Sequence, residues 1–465
     1  MSKSLIVAAA GALLGLPAGA WADPGLPPAA PRALFAQAAP APVPAAAVYA
    51  AERPWLAALE PLVTETLQRN PEIQAARRER EAAGHRVAPA GAFDDPMLEA
   101  GFINVPLPSL SFGKEDMTMK MIGLGQRLPF WGKRGLRQDV AARDAEAVGY
   151  GYEETVNRVL RELFVSWYDL ALAAQSEQLI ERNRGVLAQL VKSAEARYGV
   201  GQGAQAEVLR AQTQLTRMLE ELLRMQRERV MAEGEVGRVL VRRGAPLGQQ
   251  AQLPPPGAAP APLDQLRERA FAQRPQLRAL RSLVTKNERA IELAQKDGLP
   301  DFDVKLAYGA RNPDPLGMKR DDMVTLTVAM NLPVWRETKV DPRIAEARAM
   351  REQAQAMLDA QQDEIRMRLH HQSATATQLA RSVTLYDREI LPQARITLES
   401  TLSAYQVGRV EFMTLLDSQM AVFNYEMARL TALAGYHKAQ VEIDFLTGRL
   451  AAGALGLDPG KGNAQ

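Results

Sequence analysis

The sequence predicts a mainly α-helical fold with a membrane β-barrel portion, in which one unit of helix, strand, strand, long helix and long helix occurs twice. Spacing and proline content support this prediction. Three prolines of the first half recur at a constant offset of 204 residues; the pairs are Pro71 and Pro275, Pro96 and Pro300, and Pro129 and Pro333. Constant spacing between similar segments is typical of an internal duplication. No proline occurs between Trp131 and Ala245, although the chain contains 30. Such a stretch permits helices of roughly 60 and 40 residues, far longer than average.

The first residues are typical of a secretory signal peptide, predicted at residues 1–22. Lys3 precedes an apolar segment from Leu5 to Leu16, and Ala20-Trp21-Ala22 has the small-x-small pattern of a cleavage site. A membrane anchor is the alternative, but the apolar segment is shorter than the roughly 20 residues that span a bilayer. Residues 23–53 form an Ala/Pro-rich leader with too few large apolar side chains to offset the entropy of ordering.

Two repeats follow the leader. The first is predicted at residues 54–245 and the second at 263–450, with a Pro/Ala-rich linker at 246–262 and a flexible C-terminal tail at 451–465. In each repeat a glycine-containing tip separates the two long helices. Apolar residues at heptad spacing after each tip predict coiled-coil seams. These residues are Val208, Ala211, Leu215, Met218, Leu222 and Met225 in the first repeat, and Leu416, Met420, Phe423, Met427, Leu430 and Ala434 in the second.

Each repeat also carries a predicted pair of strands with one apolar face. In the second repeat the alternating apolar residues are Phe302, Val304, Leu306 and Tyr308 on one strand and Val324, Leu326, Val328 and Met330 on the other. In the first repeat the strands are predicted near Met97–Val105 and Asp116–Leu128. Four strands cannot close a barrel, and an open edge in lipid leaves backbone groups unpaired at several kcal/mol each. Closure therefore needs several chains. Three chains would complete a 12-stranded barrel with four strands each, but the sequence does not fix the number three.

Composition excludes several classes of function. The 56 basic and 54 acidic residues are interspersed and leave a formal net charge of +2, so no nucleic-acid partner is indicated. The absence of cysteine excludes disulfides, thiolate metal sites and a lipid-modified cysteine. The four histidines lack metal-binding spacing, and no nucleophile–base pattern is present. We therefore predict that the protein is not an enzyme and needs no cofactor.

Several motifs resemble those of the TolC-like outer-membrane efflux proteins. They are LPFWGKRGLR, RYGVGQGAQAEVLRAQ and AYQVGRVEFMTLLDSQMAV, and SFGKEDMTMKMIGLGQRLPF is similar to the heavy-metal branch of the family. The resemblance implies a homotrimer whose barrel crosses the outer-membrane lipid of a Gram-negative bacterium and whose coiled-coil tunnel extends into the periplasm. It also implies two protein partners: a periplasmic adaptor and an inner-membrane efflux pump driven by protons.

The resemblance assigns roles to the tips and to one carboxylate. Val200, Gly201, Val407 and Gly408 would contact the adaptor, although glycine at these positions also ends a helix. Asp417 matches the aspartate of the family's L-L-D-A-Q-R pattern near the periplasmic aperture, whereas a methionine replaces the arginine. Asp417 is therefore either a residue of a periplasmic gate or a solvated side chain beside the seam.

Three methionines, Met117, Met119 and Met121, occupy alternate positions of the predicted second strand. By the 204-residue offset they fall on the face opposite the apolar one, which would line the channel lumen. Thioether sulfur suits Cu(I) and Ag(I), so they are candidate metal contacts. Packing by flexible side chains is the alternative.

The predicted function is a passive exit duct of a tripartite efflux system, with heavy-metal cations as one class of cargo. A duct for drugs or for type I secretion of polypeptides is the alternative. A periplasmic coiled-coil structural or adaptor protein belongs to a different class. It would share the signal peptide and the hairpins but lack the duplicated apolar strands.

Overall fold

Helices form most of the chain in the computed structural model, which describes residues 59–107, 110–242, 250–257 and 259–451. All of these residues belong to one unit, Pro44–Gln465. The predicted signal peptide, the leader, part of the linker and the tail after Ala451 lie outside the described residues.

The first repeat has the predicted order of elements, except that two helices instead of one precede the strands. Helices α1 (Glu60–Arg69) and α2 (Pro71–Ala90) precede strands β1 (Met97–Ile103) and β2 (Met119–Leu128). The 67-residue helix α3 (Lys133–Gly199) and the 36-residue helix α4 (Gln205–Leu240) complete the repeat. Because no proline interrupts it, α3 continues for about 100 Å.

The second repeat has the same order but a different long helix. Its elements are α5 (Leu263–Gln273), α6 (Pro275–Lys296), β3 (Phe302–Arg311), β4 (Met323–Met330), α7 (Asp341–Leu385), α8 (Leu391–Gln406) and α9 (Phe412–Leu446). A π-helical turn, Tyr386–Ile390, joins α7 to α8, so the equivalent of α3 is divided into two helices. Pro392 in the first turn of α8 explains the division, because its ring lacks an N–H and clashes with the preceding turn of a regular α-helix.

The four strands form one antiparallel sheet in the order β1-β2-β3-β4. Strands β1 and β2 pair within the first repeat, and β3 and β4 within the second, as predicted. Strands β2 and β3 join the repeats, with Leu128 opposite Phe302 and Ile122 opposite Tyr308. Strands β1 and β4 each have one partner in the described chain, so the sheet has two open edges.

One face of this sheet is apolar and exposed. The register places Leu124, Leu306 and Leu326 side by side across three strands. Two of them, Leu124 and Leu326, are 55% and 68% exposed. The alternation predicted from the sequence therefore extends over both repeats, and the face that it creates is not covered by the described part of the chain.

The helices bury two separate apolar cores. The middle core joins both repeats and includes Phe164, Leu240, Leu369 and Leu446. The hairpin core lies between the middle core and the tips and includes Leu187, Leu222 and Leu416, together with the buried Met218 and Phe423 of the predicted seams.

Asp301, immediately before β3, connects the sheet to the helices. Its Oδ1 accepts hydrogen bonds from the Phe130 N–H at 2.9 Å and from Lys133 Nζ at 2.8 Å. The Lys133 side chain is 2% exposed. Burial raises the pKa of Asp301, but hydrogen bonds from Lys133 and Phe130 outweigh this effect and hold the pKa below its usual value. This buried ion pair links the start of α3 in the first repeat to the start of β3 in the second.

Replacing Asp301 with Asn is expected to lower the free energy of unfolding by roughly 3–5 kcal/mol at neutral pH, because Lys133 is left buried without a counter-charge. Since the pKa of Asp301 is depressed in the folded chain, its stabilisation is present above about pH 4 and is lost as the pH falls through that lowered value. Urea unfolding over a pH series would show the two proteins converging in acid. Asp303→Asn, an exposed strand carboxylate, is the matched control. An equal loss of stability in both variants at neutral pH would contradict the assignment.

Candidate functional site

The first hairpin tip is a helix-ending turn that exposes an apolar side chain. Helix α3 ends at Gly199, and Gly201 adopts a left-handed φ of 73°. The Gly201 N–H donates to the Tyr198 carbonyl at 2.9 Å, and the Gln202 N–H donates to the Arg197 carbonyl at 2.8 Å. These two bonds form a Schellman motif, which satisfies the last carbonyls of the helix. Val200 is left 70% exposed at the end of the hairpin.

The second tip has the same geometry. Gly408 has a φ of 74°, and its N–H donates to the Tyr405 carbonyl at 3.0 Å. The Arg409 N–H donates to the Ala404 carbonyl at 2.9 Å. Val407 is 69% exposed. Both predicted pairs, valine and glycine in each tip, therefore occupy equivalent and accessible positions.

The two tips lie next to each other, and Arg197 contacts both. Arg197 Nη1 donates to the Tyr405 carbonyl at 3.3 Å, and the guanidinium lies 4.5 Å from the centroid of the Tyr405 ring. That ring packs edge-on against Phe412 with 5.7 Å between centroids. A cation at the C-terminus of a helix is favourable because it faces the negative end of the helix dipole.

Sequence reasoning missed Arg197, although one signal was available. The equivalent position in the second repeat is Ala404, so the two tips differ at a residue where their backbones are the same. Because the same turn forms without an arginine in the second repeat, this difference indicates that the Arg197 side chain is not needed for its own turn and is free to contact the other tip.

Asp417 lies on α9 near the second tip and is exposed. Its neighbours Leu415 and Leu416 are buried in the hairpin core. Among the described residues, Asp417 has no ion-pair partner. Met420, which stands where the family pattern has an arginine, carries no charge. Met420 packs against the hairpin core and accepts a hydrogen bond on Sδ from Gln214 Nε2 at 3.3 Å. No charged latch involving Asp417 forms within the described part of one chain.

Two side-chain hydrogen bonds centred on the buried Asn183 link three of the helices of the hairpin core. Gln419 Nε2 on α9 donates to Asn183 Oδ1 on α3 at 2.8 Å, and Asn183 Nδ2 donates to Met218 Sδ on α4 at 3.3 Å. Asn183 is 5% exposed and stands among apolar residues. A single polar contact in an apolar seam favours one helix register over its neighbours. Sequence reasoning missed Asn183 because its partners are distant in sequence.

The three strand methionines are not equivalent. Met119 and Met121 lie in β2 on the face opposite Ile122, but Met117 precedes the strand and lies in a turn. The prediction that all three share a strand face was therefore wrong for Met117. Strand pairing stops there because β1 ends at Ile103, and Asn104, with a φ of 53°, turns the chain away. Met119 packs over Gly309, where a Cβ would collide with its sulfur.

Within the described ranges, no group of three or more His, Cys, Asp or Glu side chains is arranged to hold a metal ion. No helix in that part of the chain is long and apolar enough to cross a membrane.

The described chain therefore combines two long helical hairpins with exposed tips and a small sheet with one exposed apolar face. The chain belongs to the outer membrane efflux protein family, whose model matches residues 62–240 and 266–449. It is an outer-membrane protein of a Gram-negative cell, and this family consists of efflux channels, not enzymes.

Individual relatives are distant in sequence but similar in fold. The outer membrane efflux protein BepC of Brucella suis biovar 1 (strain 1330) is 23% identical over 333 residues, which cover 69% of this chain and 70% of BepC. The structure of CusC superposes with a TM-score of 0.71 at 14% identity and covers 84% of this chain and 91% of CusC. The structure of VceC of Vibrio cholerae superposes with a TM-score of 0.70 at 16% identity and covers 84% of this chain and 96% of VceC. The structure of the outer-membrane channel OprN superposes with a TM-score of 0.68 at 16% identity and covers 84% of this chain and 89% of OprN.

Replacing Gly201 or Gly408 with Ala is expected to destabilise its tip by about 1–2 kcal/mol, because an L-residue is strained at a left-handed φ. Hydrogen exchange of the amides in each tip would report the loss as faster exchange. Gly199→Ala is the matched control: Gly199 lies at the end of α3 with open space around the added Cβ, so exchange should stay the same or slow. Unchanged exchange in both tip variants would contradict the assigned turns.

Proposed function

We propose that this protein is the exit duct of a tripartite efflux system, conducting substrates passively from an inner-membrane pump and a periplasmic adaptor across the outer membrane. The observation that carries the proposal is the separation of two surfaces along one helix. A sheet with an exposed apolar face lies at one end of α3, and the adjacent hairpin tips lie about 100 Å along the helix axis at the other.

The sheet end supports assembly into a membrane barrel. Its open edges require partners in lipid, and three copies would close them with twelve strands. Aromatic side chains mark both ends of the apolar face. Trp131 packs against Phe302 near the helices with 5.8 Å between ring centroids, and Phe102 packs against Phe112 near the loops with 5.0 Å. Aromatic residues at both boundaries are typical of strands that cross an outer membrane.

The tip end supports docking of the adaptor. Val200 and Val407 are exposed on neighbouring turns, and Arg197 contacts both turns. A helical partner with an apolar stripe could cover both valines while its polar flanks face the surrounding charges. Gly201 and Gly408 permit close approach, because the space that a Cβ would occupy at either glycine has no heavy atom within 4 Å.

We propose Asp417 as a residue of a periplasmic gate that would form when copies of the chain assemble symmetrically. It has no ion-pair partner among the described residues of its own chain, and it is exposed close to the second tip. In a trimer, three such carboxylates would form a ring that attracts cations and repels anions. With Met420 in place of an arginine, this ring would lack a matching ring of positive charge.

Heavy-metal cations are the proposed cargo, with drugs or secreted polypeptides as the competing classes. Met119 and Met121 offer two thioethers on the sheet face opposite the apolar one.

Reconstitution of the purified protein into planar bilayers tests the duct itself. Stable channels of uniform conductance, together with recovery of trimers from outer-membrane fractions, are expected. A protein that is released with the soluble periplasm and does not form channels would instead support the periplasmic coiled-coil alternative.

Changing Val200 and Val407 together to Asp is expected to abolish adaptor binding, because two charges would be buried in an apolar contact without counter-charges. The measurement is co-purification with the adaptor, alongside drug and metal resistance of a complemented deletion strain. Val230→Asp, on an exposed position of α4, provides the control and should retain binding. Adaptor binding that survives the double change would place the docking surface elsewhere.

Changing Met117, Met119 and Met121 together to Leu tests cargo contacts in the same strain. If Met119 and Met121 contact copper or silver, resistance to these ions should fall while trimer levels and drug resistance stay normal, because Leu preserves volume but removes sulfur. Changing Met117 alone should have no effect, since it lies outside the strand. Full metal resistance in the triple variant would leave these methionines with a packing role only.

A further inference from the structure

One lysine interrupts the exposed apolar face of the sheet. Lys120, the second residue of β2, is exposed and lies on the same face as Ile122 and Leu124, because side chains two residues apart on a strand share a face. Its partners across the neighbouring strands are Phe102 on β1 and Ala310 on β3. The lysine therefore has no carboxylate directly opposite it on either side.

The ammonium group of Lys120 lies over an aromatic pair. Its Nζ is 5.5 Å from the centroid of the Phe112 ring, within the range of a cation–π interaction. Phe112 belongs to the loop between β1 and β2, and its ring packs edge-on against Phe102 with 5.0 Å between centroids. Among the described residues, none accepts a hydrogen bond from Lys120 or pairs with its charge. The three N–H donors of the ammonium group are therefore available to a ligand.

Two carboxylates at this end of the sheet have other partners. Asp322, which precedes β4, accepts hydrogen bonds from the Tyr308 hydroxyl and from the Arg311 N–H. Asp116, in the loop between β1 and β2, forms an ion pair with Arg320 of the other loop. Neither carboxylate pairs with Lys120, so the lysine can bind an anion from outside the chain.

The position of Lys120 along β2 matches a membrane boundary. At about 3.4 Å per residue, Lys120 lies about 27 Å along the strand from Leu128, or about 20 Å in height for a strand tilted by about 40°. The apolar band of an outer-membrane barrel is about 25 Å tall. If the sheet crosses the membrane as proposed, with the helices in the periplasm, Lys120 reaches the head groups of the outer leaflet. A lysine costs little there, because its apolar stem lies along the sheet while the ammonium stays among polar groups.

The outer leaflet of a Gram-negative outer membrane consists largely of lipopolysaccharide, whose lipid A anchor carries phosphate groups beside its acyl chains. We propose that Lys120 binds a phosphate of lipid A while acyl chains of the same molecule cover the apolar face beside Phe102 and Ile122. Lysine is a common partner of phosphate, and the contact is a charge-assisted hydrogen bond. The proposal rests on insertion of the sheet into the outer membrane. Lipid binding does not depend on conduction, so the two can be tested separately.

Titration of purified full-length protein in detergent with bisphosphorylated lipid A tests the site. Native mass spectrometry would count the bound lipid, and a fluorescently labelled lipid A would give the affinity. Lys120→Gln removes the charge, and its affinity for lipid A should fall by about tenfold or more, as expected for the loss of one charge-assisted contact. Lys120→Arg keeps the charge and should retain binding. Dephosphorylated lipid A should bind the wild type and Lys120→Gln equally weakly.

Lys319→Gln is the matched control, because Lys319 is an exposed lysine of the loop between β3 and β4 at the same end of the sheet. It should bind lipid A like the wild type. Equal binding by the wild type and Lys120→Gln would overturn the proposal, as would an equal loss in Lys319→Gln, since the attraction would then be diffuse. Inorganic phosphate at constant ionic strength should not displace the lipid. Displacement would assign Lys120 to a free anion and would also overturn the proposal.

Folding and conduction are measured on the same samples. Circular dichroism and trimer content of each variant should match the wild type, and bilayer conductance of Lys120→Gln should be unchanged. If Lys120→Gln does not fold, Lys120→Met replaces it, since Met also lacks the charge and suits an apolar face. A wild type that binds lipid A through Lys120 but does not conduct would count against the exit duct and not against the lipid site. A wild type that conducts without binding that depends on Lys120 would overturn the lipid site alone.

Discussion

A four-stranded sheet with an apolar face and two open edges cannot be stable alone in either water or lipid. In water, exposure of the leucines and valines on the apolar face would cost free energy. In lipid, the unpaired backbone N–H and C=O groups of β1 and β4 would cost free energy instead. The rest of the molecule depends on this constraint. Partners along both edges would remove the cost in lipid, and further copies of the chain could serve as these partners only if the helices stand at a defined angle to the sheet.

That angle is set at the junction of the repeats. Strand β2 leads directly into α3, while β3 begins just after Asp301, whose carboxylate receives Lys133 from the first turn of α3. The contact therefore joins two segments that are adjacent in space but far apart in sequence. At the opposite end of α3, Arg197 reaches across to the second repeat in a similar way. In both places a basic side chain of the first repeat meets a group of the second.

The sequence was sufficient for the plan of the fold but not for its contacts. Proline spacing and the proline-free stretch predicted α3 and α4 closely, because chain-local sterics decide where a helix can continue. The alternation of apolar and polar residues predicted the apolar faces of β3 and β4, because successive side chains of a strand point to opposite faces of the sheet. The limit of β2 was missed at Met117, since it depends on where its partner β1 ends. Arg197 and Asn183 were missed because their partners lie on other helices, and heptad spacing identifies the seam but not the pairs across it.

The π-helical turn at Tyr386–Ile390 makes the two hairpins mechanically unequal. Helix α3 passes from the middle core to the hairpin core without a break, whereas the corresponding path in the second repeat crosses this turn between Val383, in the middle core, and Leu398, which packs against the hairpin core. A turn with wider hydrogen bonds beside a proline bends at lower cost than a continuous helix. The first hairpin therefore contains a continuous, stiff helix, whereas the second contains a position at which its helix can bend. In a symmetric assembly, any change in diameter near the tips would be concentrated in one helical hairpin of each chain.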